Sequence, residues 1–295
     1  MTLNEIKKYQ RNNRSISIVR KGHKRMKIGF IGLGNMATAM IGGMLGIGAF
    51  RAEEITGSAR TQETADRVGK KYGIVTGTDN KEIAKQADVL ILAVKPIFLP
   101  EVIAEIRDFV DGESTLVISI AAGRSIEWIE HEFGKTIRII RCMPNTPAMV
   151  GEGCTCICLK ETFSDPGVYA GDQELALKIM NSFGKASILP ERLMDAFVGV
   201  AGSAPAYVFL FIEAMADAAV MAGMPRKQAY EFAAQSVLGS AKMVLETGRH
   251  PGELKDMVCS PAGTTIEAVK VLEERGLRAA VIDAIEACVE KSRNM

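Results

Sequence analysis

The sequence predicts an α/β fold in two parts: a doubly wound sheet domain over residues 26–190, then an all-helical domain over residues 191–295. Three observations carry this. A short apolar run at 27–31 stops at Gly32-Leu33-Gly34-Asn35-Met36-Ala37 and passes directly into an Ala/Met/Ile-rich segment with helical spacing. Apolar runs then recur at 89–94, 115–119 and 136–141 with helix-like pieces between them, and strands alternating with helices build a parallel sheet. Beyond Pro190 the strand signal almost vanishes and long helical segments follow.

Composition sets the outer limits. A chain of 295 residues can hold two compact cores, and 47% hydrophobic with 24% charged residues is ordinary globular content. A net charge of +1 argues against a nucleic-acid surface. Six cysteines without a secretory signal point to reduced thiols in a cytoplasmic setting. Cys154, Cys156 and Cys158 alternate along one expected strand and share a face, where they read as small buried hydrophobes rather than a metal site. No metal is expected.

Residues 1–25 are rich in Lys and Arg, with Glu5 as their only acid. They lack the apolar core of a signal peptide and read as a disordered basic tail or an over-long start ahead of Met26, outside the fold, with a basic, acid-poor transit peptide as the alternative. The stretch that follows fits G-x-G-x-x-A. Its first glycine makes the tight turn, its second lets backbone N–H groups approach a pyrophosphate, and Ala37 keeps helix close to strand. The turn residues Gly32, Leu33, Gly34, Asn35 and Met36 are therefore the expected dinucleotide-binding segment of a Rossmann-type domain, with the helix N-terminus facing the phosphates.

A second strand is expected at 54–58. In NAD-binding units this strand ends in Asp or Glu, which accepts hydrogen bonds from the ribose 2'-hydroxyl. Here Ser58 holds that place and Arg60 follows. A hydroxyl and a guanidinium suit a 2'-phosphate, so NADPH is favoured and NADH is the weaker alternative; the other reading makes Arg60 a solvated side chain and gives the ribose to Glu63. Helices are expected at 79–86 and at 125–133, the latter closed by Gly134. Ligands in such sheets sit beyond the carboxyl ends of the strands. Two further segments fall there. One is Ala93-Val94-Lys95-Pro96, where Lys95 serves the cofactor's negative groups or is simply part of a turn. The other is the proline-flanked turn Cys142-Met143-Pro144-Asn145-Thr146-Pro147, which would set Asn145 beside the nicotinamide or be turn chemistry alone. Runs at 154–159 and 186–189 read as strands that close the sheet edge.

In the helical part, residues 206–221 are apolar apart from Glu213 and Asp217, too short and too charged for a membrane span. A helix apolar on most faces must be buried, which suggests a bundle shared between two subunits. A second helix is expected at 226–246, ended by Thr247-Gly248. Then come Ser260-Pro261-Ala262-Gly263 and a helix starting at Thr264-Thr265. Its first-turn N–H groups and two hydroxyls would converge on a carboxylate; an ordinary N-cap accounts for the same residues equally well.

At this point the chain resembles the pyrroline-5-carboxylate reductases. The resemblance runs from Met26 to about Lys291. It is carried by I-G-F-I-G-L-G-N-M at the start, A-V-K-P at 93–96, M-P-N-T-P at 143–147 and, most specifically, the signature segment at 256–273. Ala262 stands where many members carry Gly. The resemblance implies NAD(P)H-dependent reduction of the cyclic imine L-1-pyrroline-5-carboxylate to L-proline. It implies Thr265 and Ser260 as catalytic candidates and Gly263, Thr264 and Asn145 as substrate-binding residues. Ser58, Arg60, Ala93, Lys95, Pro96 and the glycine turn would hold NADPH. It further implies a homodimer through the helical domain, open to further assembly, with a small-molecule substrate and neither nucleic acid nor membrane as partner. A hydroxyacid dehydrogenase with a helical C-terminal domain resembles the chain less, because that family uses a lysine on the first long C-terminal helix and none occurs between Val198 and Met224. A non-catalytic dinucleotide sensor would not need the stretch at 260–265.

Overall fold

The computed structural model describes residues 26–160 and 166–295; the basic tail expected at 1–25 lies outside the described residues. One eight-stranded sheet has the order β3-β2-β1-β4-β5-β6-β7-β8. The strands are β1 (Ile28–Ile31), β2 (Ile55–Ser58), β3 (Val75–Gly77), β4 (Val89–Leu92), β5 (Leu116–Ser119), β6 (Arg138–Met143), β7 (Gly153–Leu159) and β8 (Gly184–Ile188). The central strands β1, β4 and β5 are apolar and buried on both faces, the pattern of a parallel sheet covered by helices. β2 lies on one side of β1, with Ser58 opposite Ile31, and β4 lies on the other, with Leu92 opposite Ile31.

The helices of this domain are α1 (Asn35–Gly46), α2 (Gln62–Tyr72), α3 (Asn80–Gln86), α4 (Leu99–Ile106), α5 (Ile126–Phe133) and α6 (Pro166–Met180). One face of the sheet packs on α1, α2 and α6 through Met40, Ile41, Val68 and Ile179, and the other on α3, α4 and α5 through Ile83, Ile103 and Ile129. The helix limits follow from the caps. Thr61 accepts from Thr64 N, Asp79 accepts from the N–H groups of Lys81 and Glu82, and Ser125 accepts from Trp128 N. Gly73 and Gly134 end α2 and α5 in the left-handed region.

Several sequence expectations need adjustment. The sheet is not wholly parallel: β7 runs antiparallel to β6. The link between them holds only a short 3₁₀ turn, Thr146–Val150, and has no room for the helix a parallel crossover needs. β3 is three residues long and had no apolar run to mark it. Of the three cysteines on β7, Cys156 and Cys158 are buried in the core but Cys154 is exposed. The turn expected from Cys142 starts later, since Cys142 and Met143 still belong to β6.

The helical domain opens with a 3₁₀ turn (Glu191–Leu193), α7 (Met194–Phe197) and a π-turn (Val198–Gly202). It continues as α8 (Ala204–Met221), α9 (Arg226–Thr247), α10 (Pro251–Val258), α11 (Thr264–Glu274) and α12 (Leu277–Arg293). The buried core between α8 and α9 consists of Ala216, Ala229 and Ala233, lined by a few half-buried neighbours. The apolar helix, expected to be buried, is largely open in the single chain: Phe209 is 63% exposed and Leu210 is 67% exposed. The helical run also extends further back than the sequence suggested. Glu191–Met221 spans 31 residues and is long and apolar enough, by length and composition, to cross a membrane, so the argument that it is too short does not hold.

Polar contacts tie the two domains together. Glu191 pairs with Arg141 of β6 at 2.8 Å and accepts the N–H of Ile126 at the start of α5. Within the helical domain, Ile285 and Val289 of α12 pack where a side chain on Gly199 of the π-turn would sit, and Ser292 donates to Asp195 at 2.6 Å.

Candidate active site

The glycine turn has the geometry its sequence calls for. Gly32 has φ +96, and a Cβ there would lie 2.7 Å from the carbonyl oxygen of Ala93, so no other residue fits. Its N–H donates to Ser58 O, which draws the turn against the end of β2. Leu33 is buried, its side chain turned inward against Gly57 of β2. Gly34 is the N-cap of α1. No side chain caps that helix, no acid lies in its first turn, and a Cβ on Gly34 would meet nothing within 4 Å. Open space over an uncapped helix start, with the amides of Asn35 and Met36 next in line, fits the pyrophosphate of a dinucleotide. Ala37 is buried against the sheet, as helix–strand contact requires.

Beyond β2 the expected pair separates. Ser58 is fully buried, and its hydroxyl donates to Asn80 Oδ1 at 2.7 Å; Asn80 Nδ2 in turn donates to Glu105 at 2.8 Å. Arg60 is exposed, its guanidinium 5.7 Å from the centre of the Phe98 ring. Beyond β4, Ala93 N donates to Ile31 O and holds that strand end beside β1. Exposed Lys95 precedes the 3₁₀ turn Pro96–Phe98, with Pro96 at its start. The glycine turn, Arg60, Lys95 and Pro96 are thus gathered at the carboxyl edge of the sheet around β1.

Asn145, at the end of β6, is 7% exposed, and both ends of its amide are engaged. Oδ1 accepts Cys154 N at 2.7 Å and Nδ2 donates to Ala201 O at 2.9 Å. It therefore fastens the start of β7 and the π-turn to the proline-flanked turn.

Ser260, Ala262, Gly263, Thr264 and Thr265 form one tight turn at the head of α11. Gly263 N donates to Ser260 O at 3.0 Å, and the Ser260 hydroxyl lies where a Cβ on Gly263 would stand. Gly263, not a hydroxyl residue, is the N-cap, and no side chain bonds the first-turn amides. The ordinary Ser/Thr cap left open by the sequence is therefore not what is formed. Ala262 has φ +58, the only non-glycine residue with positive φ among the described residues. A left-handed position explains why glycine is common there in the resembling family. Among the described residues, no hydrogen bond or ion pair joins this turn to the sheet domain. The turn and the glycine loop belong to different domains of the chain.

Comparison with known proteins bears on this pairing of sites. A family described as "Pyrroline-5-carboxylate reductase dimerisation" matches residues 191–295, and one described as "NADP oxidoreductase coenzyme F420-dependent" matches residues 27–123. The pyrroline-5-carboxylate reductase of Escherichia coli is 48% identical over 271 residues, covering 91% of this chain and 98% of the relative. The chain belongs to the pyrroline-5-carboxylate reductase family. Within that family, the human pyrroline-5-carboxylate reductase 2 is 39% identical over 277 residues, covering 92% of this chain and 84% of the relative. Solved structures agree. A pyrroline-5-carboxylate reductase from Coxiella burnetii matches with a TM-score of 0.84 at 37% identity, covering 92% of this chain and 98% of that one. The Plasmodium falciparum pyrroline carboxylate reductase, solved with NADP bound, matches with a TM-score of 0.81 at 31% identity, covering 92% and 99%.

Three residues at these sites escaped the reading of this family member's sequence. Asn80 follows the cap of a short helix, and no local pattern shows that it meets Ser58, 22 residues earlier. Phe98 reads as one more apolar residue after Lys95-Pro96. Ala201 enters through its backbone carbonyl, which a sequence does not distinguish.

Proposed function

We propose that this protein reduces L-1-pyrroline-5-carboxylate to L-proline, the last step of proline biosynthesis, with NADPH as preferred cofactor and NADH as a weaker one. One observation carries the reading: in the segment corresponding to the family signature, α11 begins with first-turn amides that no side chain caps. Those amides, together with the Thr264 and Thr265 hydroxyls, make an anchor for the substrate carboxylate. A carboxylate held there orients the ring, and orientation is the main catalytic term available to this site. Bound at the glycine turn, with Arg60 at its 2'-phosphate, NADPH supplies the hydride for the C=N carbon.

Thr265 and Ser260 are the residues we assign to the reacting end, with Thr265 as hydrogen-bond partner near the ring nitrogen. No strong acid is required of the protein, because a cyclic imine is basic enough to arrive partly protonated. Gly263 lets the turn close on Ser260, and Asn145 holds the π-turn that leads into the helical domain. Lys95 adds positive charge to the cofactor cleft.

The open helical domain supports a homodimer formed through it. Burying side chains such as Phe209, Leu210 and Phe232 is worth roughly 1.5–3 kcal/mol each, far more than the three-alanine core of one chain provides. We assign the long apolar run at 191–221 to that interface rather than to a membrane, and place the enzyme in the cytoplasm.

The direct experiment follows NADPH absorbance on adding L-1-pyrroline-5-carboxylate to the purified protein, with proline identified as product. Absence of turnover with NADPH and with NADH would remove the assignment.

A further inference from the structure

Arg60, an exposed side chain, is held differently from the arginines that pair with carboxylates. Arg138 is paired with Asp172, Arg141 with Glu191 and Arg226 with Asp217. Among the described residues Arg60 has no carboxylate partner and no side-chain hydrogen bond; its guanidinium lies over the face of Phe98, 5.7 Å from guanidinium carbon to ring centre. A carboxylate would fix the side chain and also cancel its charge. An aromatic ring fixes it and leaves the charge and the N–H donors free for an anion.

The two residues come from opposite sides of β1. Arg60 follows β2 and Phe98 follows β4, and both strands pair with β1 so that Ser58 and Leu92 lie level with Ile31. Their contact therefore joins the two loops that flank the glycine turn, on the crest where the adenosine end of a dinucleotide is expected. Core packing does not account for the ring. Phe98 is 40% exposed, whereas Leu99 beside it is fully buried in the core. The buried hydroxyl of Ser58 is committed to Asn80, which leaves Arg60 as the first exposed charged side chain after this strand and the first that carries positive charge.

We propose that Phe98 is a positioning residue for cofactor selection: its ring holds the Arg60 guanidinium over the cleft, ready for the 2'-phosphate that distinguishes NADPH from NADH. This rests on the NADPH reading above. Phe98 does not touch the phosphate; it reduces the side-chain freedom that Arg60 would otherwise lose on binding.

Calorimetric binding of NADPH and NADH to the full-length protein tests this, using Phe98→Ala, Phe98→Tyr, Arg60→Ala and the double variant. Arg60→Ala weakens NADPH about ten- to a hundredfold and leaves NADH unchanged. Phe98→Ala weakens NADPH alone, about two- to fivefold, the scale of an exposed cation–π contact. Phe98→Tyr keeps the wild-type ratio, and Phe98→Ala adds nothing in the Arg60→Ala background, because the two act as one unit. Equal loss for both cofactors in Phe98→Ala would mean that the ring contacts the shared nucleotide, and would overturn the proposal. So would no loss, or additive losses in the double variant. If Arg60→Ala itself leaves the NADPH to NADH ratio unchanged, the NADPH reading fails, whatever Phe98 does.

Discussion

Replacing Asn145 by alanine tests whether this residue is a structural joint. The amide is 7% exposed and makes two hydrogen bonds at 2.7 and 2.9 Å, one to the start of β7 and one to the π-turn. Truncation leaves Cys154 N–H and Ala201 C=O without their partners. Each unsatisfied buried group costs about 1–3 kcal/mol, so the pair costs roughly 2–6 kcal/mol, and about 3 kcal/mol is expected once some water enters. Urea unfolding at fixed protein concentration should show a lower midpoint with an unchanged slope. Asn145→Asp, nearly isosteric, should be worse than alanine, since it turns an oxygen toward the Ala201 carbonyl oxygen. An alanine variant as stable as the parent, with only the Michaelis constant for the imine raised, would refute this reasoning. It would return Asn145 to the purely substrate-binding role that its place in M-P-N-T-P suggests.

Thr265→Ala should cost about 1–3 kcal/mol of transition-state stabilisation in kcat/KM for the imine while NADPH affinity by calorimetry stays normal; unchanged kcat/KM would reduce the turn to a helix start. A carboxylate-free pyrroline should be a poor substrate of the unaltered enzyme, because the α11 amides then have no anion to orient; turnover matching the natural substrate would count against the anchor. Phe209→Glu, placed on the open face of α8, should give monomeric or insoluble inactive protein by light scattering, and an active dimer would move the interface elsewhere. Burial, with a smaller contribution from Cys156, pushes the Cys142 thiol well above the ordinary cysteine range. Cys142 should therefore resist iodoacetamide in the folded protein and react after denaturation; rapid labelling of the native state would mean that the β6–β7 core is open.

Local chemistry made much of this protein legible in advance. The glycine turn was readable because Gly32 must take φ +96 beside the Ala93 carbonyl and Ala37 must be small against the sheet. Asp79 and Ser125 at the starts of two helices and the left-handed Gly134 at the end of the second were readable limits, whereas the helix between Thr61 and Gly73 was not read. The change at Pro190 was visible because a strand period gives way to a helical one. The motif resemblance further pointed to the turn at 260–265, whose residues lie side by side in the chain.

What only the tertiary structure decided are the pairings between distant residues. The burial of Ser58 depends on Asn80 and Glu105, and the exposure of Arg60 gains meaning only from Phe98, 38 positions later. The antiparallel β7 follows from a link too short for a crossover, and the role of Asn145 depends on a carbonyl 56 residues away. The apolar helix shows the same division. Composition marks 206–221 as a surface that must be covered, but only the packing shows that a core of three alanines leaves Phe209 and Leu210 open. Periodicity records which face of an element avoids water; what covers that face is set by parts of the chain, or of a second copy, that periodicity does not connect.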